Sequence, residues 1–260
     1  MLSARATYCH SHLSSKETTH THTFFQPKRP MFNKHDILYE DNHIIAVNKH
    51  SGDLVQSDTE GTPGLEDEIK AFIKVRDQKP GEVFLGVVHR IDRPVSGVVL
   101  FAKTSKALVR LNEMVRDRKI DKRYWAICEE APEELEGTLV HYITRDGKTN
   151  KASAYNSQKS DAKRAELRYK MLGGSKNYKL LEVELITGRH HQIRCQLSKV
   201  GCPIKGDLKY GAKRSNQGGG ISLHSRSVEF LHPVRKEPIK ITAPVPDGDS
   251  LWQFFEESQE

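Results

Sequence analysis

Three short stretches of this chain gather side chains that could do chemistry. Between two Val-rich runs lies His89-Arg90-Ile91-Asp92-Arg93-Pro94-Val95-Ser96-Gly97, with an acid, two arginines, a histidine and a Ser-Gly pair close together. So many polar groups between apolar strands are unfavourable unless they find partners or line a site. The plain alternative is a hairpin with a charged tip. Further on, Gly188-Arg189-His190-His191-Gln192-Ile193-Arg194 forms a second strand-to-helix junction, which could equally be a helix start that binds phosphate. Lys122-Arg123-Tyr124-Trp125-Ala126 opens a strand. Taken together, the three supply a carboxylate, planar cations and an aromatic face. A metal-dependent hydrolase built on His190, His191 and a carboxylate is disfavoured, because adjacent histidines on a helix point to different faces.

Stepping outward, the patterning must place these stretches. Short strands are expected at Ile37-Leu38-Tyr39 and Ile44-Ile45-Ala46-Val47, then a helix with Leu65, Ile69, Phe72 and Ile73 on one face and Thr62-Pro63 as its start. Strands over 84–88 and 98–102 bracket the Asp92 segment, and an amphipathic helix follows over 105–118. Further strands are expected over 122–128, 138–144, 165–171 and 178–187, with Leu181, Val183 and Leu185 alternating most clearly. Ile193, Leu197 and Val200 then take helical spacing, stopped by Gly201. Strands over 221–225 and 239–243 precede an apolar patch of Trp252, Phe254 and Phe255. Strands outnumber helices and often follow one another directly, which predicts an α+β fold with a mixed, mostly antiparallel central sheet and flanking helices and loops.

Composition narrows the class. Apolar residues at 36% and charged residues at 29% fit a soluble globular chain. No apolar run is long enough to span a membrane. Cys9, Cys128, Cys195 and Cys202 form no CxxC pair, so reduced cytosolic thiols are expected in preference to a zinc site. The net charge of +7 says less than its distribution. Basic residues concentrate over 103–123, 145–170 and 189–214, as they would along a phosphate backbone, although solvated faces can look the same. Residues 1–30 are rich in Ser, Thr and His without apolar periodicity; they read as a disordered or misassigned extension before one domain over 31–260.

The motifs resemble those of the RluA family of pseudouridine synthases over about 37–246. The matching stretches, in order, are Ala46-Val47-Asn48-Lys49 with Ser51-Gly52; His89-Arg90-Ile91-Asp92 with Ser96-Gly97; and Lys122-Arg123-Tyr124. Then come Thr187-Gly188-Arg189 with His191-Gln192-Ile193-Arg194; Gly201-Cys202-Pro203-Ile204 with Gly206-Asp207 and Tyr210-Gly211; and Leu223-His224 with Phe230, His232 and Pro233. The resemblance implies the pseudouridine synthase catalytic fold and an isomerase that detaches a uridine from its ribose, turns it and rejoins it through C5, with no metal or organic cofactor. It also implies Asp92 as the essential carboxylate, either attacking the sugar or removing a ribose proton. An ionised group serves both routes, and a nearby arginine favours that charge state. Arg194 is the implied partner, with Arg189 second, and Tyr124 the ring that stacks on the base. Around these three, Arg90, His89, Arg189 and Gln192 are expected to face the substrate, Arg90 filling the stack vacated by a flipped base and His89 chiefly supporting its loop. Asn48, Lys49, Asp207 and His224 are expected to be structural or peripheral.

Two departures stand out. Ile91 replaces the family's usual Leu, and Val95 replaces the usual Thr, removing a hydroxyl beside the catalytic loop. Many relatives also carry an N-terminal S4-type RNA-binding module, and nothing before Met31 is patterned like one. The expected partner is RNA, ribosomal in the first place and transfer RNA as the alternative, bound by a cytoplasmic monomer. An RNA-binding assembly factor that has lost catalysis is the rival from another class.

Overall fold

The computed structural model of the protein describes residues 32–259. In chain order the elements are β1 (Ile37–Glu40), β2 (Ile44–Lys49), α1 (Leu65–Arg76), β3 (Gly86–Val87), β4 (Ser96–Ala102), α2 (Ser105–Arg116), β5 (Asp121–Cys128) and β6 (Glu136–Asp146). They continue as β7 (Lys151–Tyr155), β8 (Lys163–Gly174), β9 (Lys179–Leu185), α3 (Gln192–Lys199), β10 (Leu223–Leu231), β11 (Pro238–Thr242) and α4 (Ser250–Glu257). All the strands join one sheet of eleven, ordered β1-β2-β4-β10-β5-β9-β8-β6-β7, with β3 on β4 and β11 on β10. Among the described residues every strand pairing is antiparallel except β4 with β10. The α+β reading with a mixed, mostly antiparallel sheet is therefore correct.

Helices cover both faces. On one side α1 (Leu65, Ile69, Ile73) and α3 (Ile193, Leu197) pack with Val47, Val99, Phe101, Tyr124, Ala126 and Val183. On the other, α2 packs Ala107 and Leu111 onto Ile44, Ala46, Val98 and Leu100, and α4 packs Trp252 and Phe255 onto Trp125, Ile127 and Leu180. Strand β4 is consequently buried along its whole length, as its unbroken apolar run requires. The parallel seam sets Ser96 beside His224 and Gly97 beside Ser225. Gly97 has φ +108°, and a Cβ there would sit 2.3 Å from the Ser225 carbonyl oxygen. Only glycine allows that approach.

Several local expectations shift. α1 starts at Gly64, not Thr62: a Cβ on Gly64 would meet the Gln56 backbone at 2.4 Å, and the Thr62 N–H bonds Asp58 Oδ1 instead. Glu66, Asp67 and Glu68 fill its first turn, where negative charge suits the helix dipole. β3 shrinks to two residues and leaves Phe84 47% exposed. Beyond Val88 the His89 imidazole Nε2, in place of a backbone carbonyl, accepts the Leu100 N–H at 3.2 Å, so the ladder ends where the Asp92 segment begins. The edge strand β7 has no counterpart in the expected elements, and the terminal apolar patch turns out to be the helix α4. No helix among the described residues is long and apolar enough to cross a membrane. The expected N-terminal extension and Cys9 lie outside the described residues.

Candidate active site

The loop between β3 and β4 is fastened through its backbone. The Arg93 carbonyl accepts from the Gly52 N–H at 2.8 Å and from Lys49 Nζ at 3.1 Å; Lys49 is itself fully buried. The Pro94 carbonyl accepts from Ser51 Oγ at 3.0 Å and from the Ile221 N–H at 3.1 Å. Ser96 Oγ and His224 Nδ1 lie 2.9 Å apart, and Val95 packs into the core. The loop thus gets its hydroxyl contact from Ser96, and position 95 serves packing. Lys49 and His224 are structural, as expected.

This scaffold presents Asp92 to a cavity of about 640 Å³. All seven residues singled out from the sequence, His89, Arg90, Asp92, Tyr124, Arg189, Gln192 and Arg194, line it. The junction after β9 supplies the opposite wall. Arg194 is nearly fully buried and serves two carboxylates at once: Nε and Nη2 donate to Asp207 at 2.6 and 2.9 Å, and Nη1 donates to Asp92 Oδ2 at 3.0 Å. Burial works against the charge on Arg194, and the Asp207 and Asp92 carboxylates more than offset it. Asp207 is 1% exposed and the Asp92 side chain 26%. Asp207, expected to be structural or peripheral, is structural: it does not line the cavity but holds Arg194 from behind it. Asp92 Oδ1 receives no hydrogen bond from the protein among the described residues.

His190 and His191 require a correction. They precede α3 and do not lie on it, and His191 is left-handed at φ +49°. The two rings stack at 3.8 Å instead of diverging. The Tyr210 hydroxyl accepts from the Ala152 N–H at 2.7 Å and hydrogen-bonds with His191 Nδ1 at 2.8 Å. His191 Nε2 faces Asp92 Oδ2 at 3.6 Å. Burial, helped by Arg194, pushes His191 down to about 3, so it is neutral at physiological pH. Ligand atoms of Asp92, His190 and His191 all fall within 4.8 Å of one another, close enough to share a cation. The objection from helical geometry therefore fails. The Arg194 guanidinium, already bonded to the same Asp92 oxygen, is what disfavours a cation there.

The remaining candidates divide by commitment. The Gln192 amide is held in the turn: Oε1 accepts from Thr187 Oγ1 at 2.8 Å and the Arg189 N–H at 3.0 Å, and Nε2 donates to the Glu166 carbonyl at 3.0 Å. It shapes the wall of the cavity. His89 is held neutral at about 3 by burial and by Lys122, and it supports the loop as expected. Tyr124 lies on the cavity floor with its phenol pushed up to about 12, chiefly by burial; the Ser225 hydroxyl pulls the other way and Asp92 adds to the rise. Arg90 and Arg189 stay at the rim, where their guanidinium groups donate to Gln56 Oε1 and the Arg164 carbonyl. Lys122 and Arg145 complete that rim. Lys122 stands in the stretch that carries Tyr124 but is given no role of its own there, and Arg145 is not singled out, because a basic residue in a hairpin carries no mark of facing a cavity.

Comparison with known proteins agrees with this geometry. Residues 43–199 match the family model described as RNA pseudouridylate synthase. The ribosomal large subunit pseudouridine synthase C of Buchnera aphidicola is 33% identical over 219 residues, covering 80% of this chain and 66% of that protein. The synthase D of Xylella fastidiosa is 34% identical, with 82% and 66% covered. This chain spans 66% of the length of both relatives. Among solved structures, human RNA pseudouridylate synthase domain containing 4 shares the fold with TM-score 0.69 at 24% identity, covering 86% of this chain and 91% of that one. With more than half the chain matched by the family model, the protein belongs to the RNA pseudouridylate synthase family, in the RluA branch that its motifs resemble.

Proposed function

We propose that the protein isomerises uridines in RNA to pseudouridine, with ribosomal RNA as its substrate class. The observation that carries this reading is the state of Asp92: one oxygen is fixed by a buried arginine, and the other is unclaimed and faces a cavity of nucleoside size. In the reaction the N1–C1′ bond breaks, the base turns, a C5–C1′ bond forms, the C5 proton leaves to solvent and N1 takes up one proton, so substrate and product contain the same atoms. Asp92 acts on the sugar, by attack on C1′ or by taking a ribose proton. Arg194 keeps it charged and aimed, and Asp207 fixes Arg194. Tyr124 reaches the base as a neutral phenol, able to stack and to donate or accept one hydrogen bond near C5. Arg90 occupies the stack that the flipped base leaves, and Arg189 contacts the backbone. No step in this scheme calls on a cofactor. The synthases C and D named above are ribosomal enzymes, which supports ribosomal over transfer RNA.

Incubating the protein with RNA tritiated at uridine C5 tests the reading. Tritium should be released from ribosomal RNA lacking the modification. Release from no cellular RNA pool would favour a non-catalytic binder on this fold, and release from transfer RNA alone would move the substrate. Mapping pseudouridines in cells with and without the gene then locates the target.

A further inference from the structure

A second cavity, of about 360 Å³, adjoins the first, and Lys122, Gly188 and Arg189 line both. Its walls bring Arg116, Arg118, Lys122 and Arg189 together against Asp121 and Glu184, with Val115 and Ile186 as apolar surface. Glu184 already faces Arg168 at 3.5 Å. Lys122 is half-buried, and among the described residues no carboxylate pairs with it, whereas the half-buried Lys103 and Arg226 have Glu40 and Glu256. Burial lowers its pKa from the ordinary lysine value with no acid to offset it. An ammonium held partly out of water without a counter-charge is unfavourable by itself and becomes favourable once an anion arrives. Lys122 also lies two residues before Tyr124 on β5, on the same face and roughly 6.6 Å along the strand. A nucleotide whose base stacks on Tyr124 has its phosphate within that reach.

We infer that Lys122 binds the phosphodiester joining the target uridine to a flanking nucleotide, and that this nucleotide occupies the second cavity. The inference rests on the proposed synthase reading for the identity of the strand. Arg189 closes on the same phosphate from the other wall, and the apolar patch of Val115 and Ile186 receives the flanking base without selecting among bases.

The test compares Lys122→Met, which keeps the stem and removes the charge, with Lys122→Arg, which keeps the charge. With C5-tritiated total RNA, Lys122→Met should raise KM about tenfold or more while kcat changes by less than about threefold. With a twelve-residue oligouridylate, the slope of log affinity against log salt should shrink by about 0.7, the value for one single-strand phosphate contact. Lys122→Arg should restore both. Thermal stability of Lys122→Met should hold or rise, because an unpaired half-buried charge has gone. Unchanged KM and salt slope overturn the inference. So does a kcat loss at constant KM, which would move Lys122 into the chemistry, and so does a stability loss that Lys122→Arg fails to rescue. If the wild type releases no tritium, the synthase reading fails by itself, and the oligouridylate slope still decides whether Lys122 holds a phosphate.

Discussion

The floor and the rim of the cavity treat charge in opposite ways. On the floor Arg194 and His191, with Asp207 and Tyr210 behind them, are buried and joined by polar contacts that lead towards one oxygen of Asp92. On the rim, Arg90, Lys122, Arg145 and Arg189 line the same cavity, and among the described residues none is paired with a carboxylate. Enzymes gain most from groups fixed before the reaction begins. A polyanionic substrate, by contrast, is best met by cations not yet neutralised. On the proposed function, the contrast separates chemistry, prepared in advance on the floor, from binding, which the rim leaves for RNA to complete.

The division breaks most visibly at Arg194. Arg194→Ala strands two carboxylates, one of them 1% exposed, and should lower stability by roughly 3–5 kcal/mol in urea denaturation along with loss of turnover. Asp207→Ala strands the guanidinium and should do nearly as much. Arg194→Lys should restore neither fully, since a point charge cannot serve both aspartates in a planar fork. A stability loss under about 1 kcal/mol for Arg194→Ala would mean that the floor is not the prepared unit described. It is Asp207, not Asp92, that makes this loss large, because Asp92 is open to solvent. At the rim the effect should change in kind: Arg90→Ala should raise KM about tenfold, the worth of one lost stacking contact, with an unchanged melting temperature. A fall in melting temperature would show Arg90 to be structural.

A smaller effect follows from the buried histidines. His89 and His191 are pushed down to about 3 and His224 to about 4, mainly by burial, whereas an unfolded chain protonates them near the ordinary value of about 6.5. Between those values the unfolded state binds more protons, so stability is complete above about pH 6.5 and is lost as pH falls towards 4. Melting temperatures measured from pH 7.5 to 4.5 should decline below 6.5. A flat profile would contradict neutral burial of these rings.

Much of this was legible in the sequence, and the failures share a cause. The segments carrying Asp92, Tyr124 and Arg194 stand out because each sets polar groups against an apolar pattern, and all seven candidates reach one cavity. The motif Gly206-Asp207 is visible and a structural place for Asp207 is expected, but its pairing with Arg194 is not, because an acid after a glycine looks like any turn acid. Only the fold brings it to Arg194, thirteen residues earlier. His190 and His191 were read as helical because the helical spacing starts nearby, yet the left-handed backbone of His191 starts the helix one residue later and stacks the rings. β7 escaped notice because Lys-Ala-Ser-Ala-Tyr at a sheet edge has only one well-buried side chain to mark its period. In each case a local pattern was overridden by a partner distant in sequence.

The most direct test of the central claim compares Asp92→Asn with the wild type on the same C5-tritiated RNA, with binding followed by fluorescence anisotropy. The substitution keeps the size of the side chain and removes only the carboxylate charge. Tritium release should fall at least about a thousandfold, with RNA affinity within about threefold and the fold intact. Release within tenfold of the wild type would contradict the account, because the carboxylate that the whole floor is built to hold would then not be the group that does the chemistry.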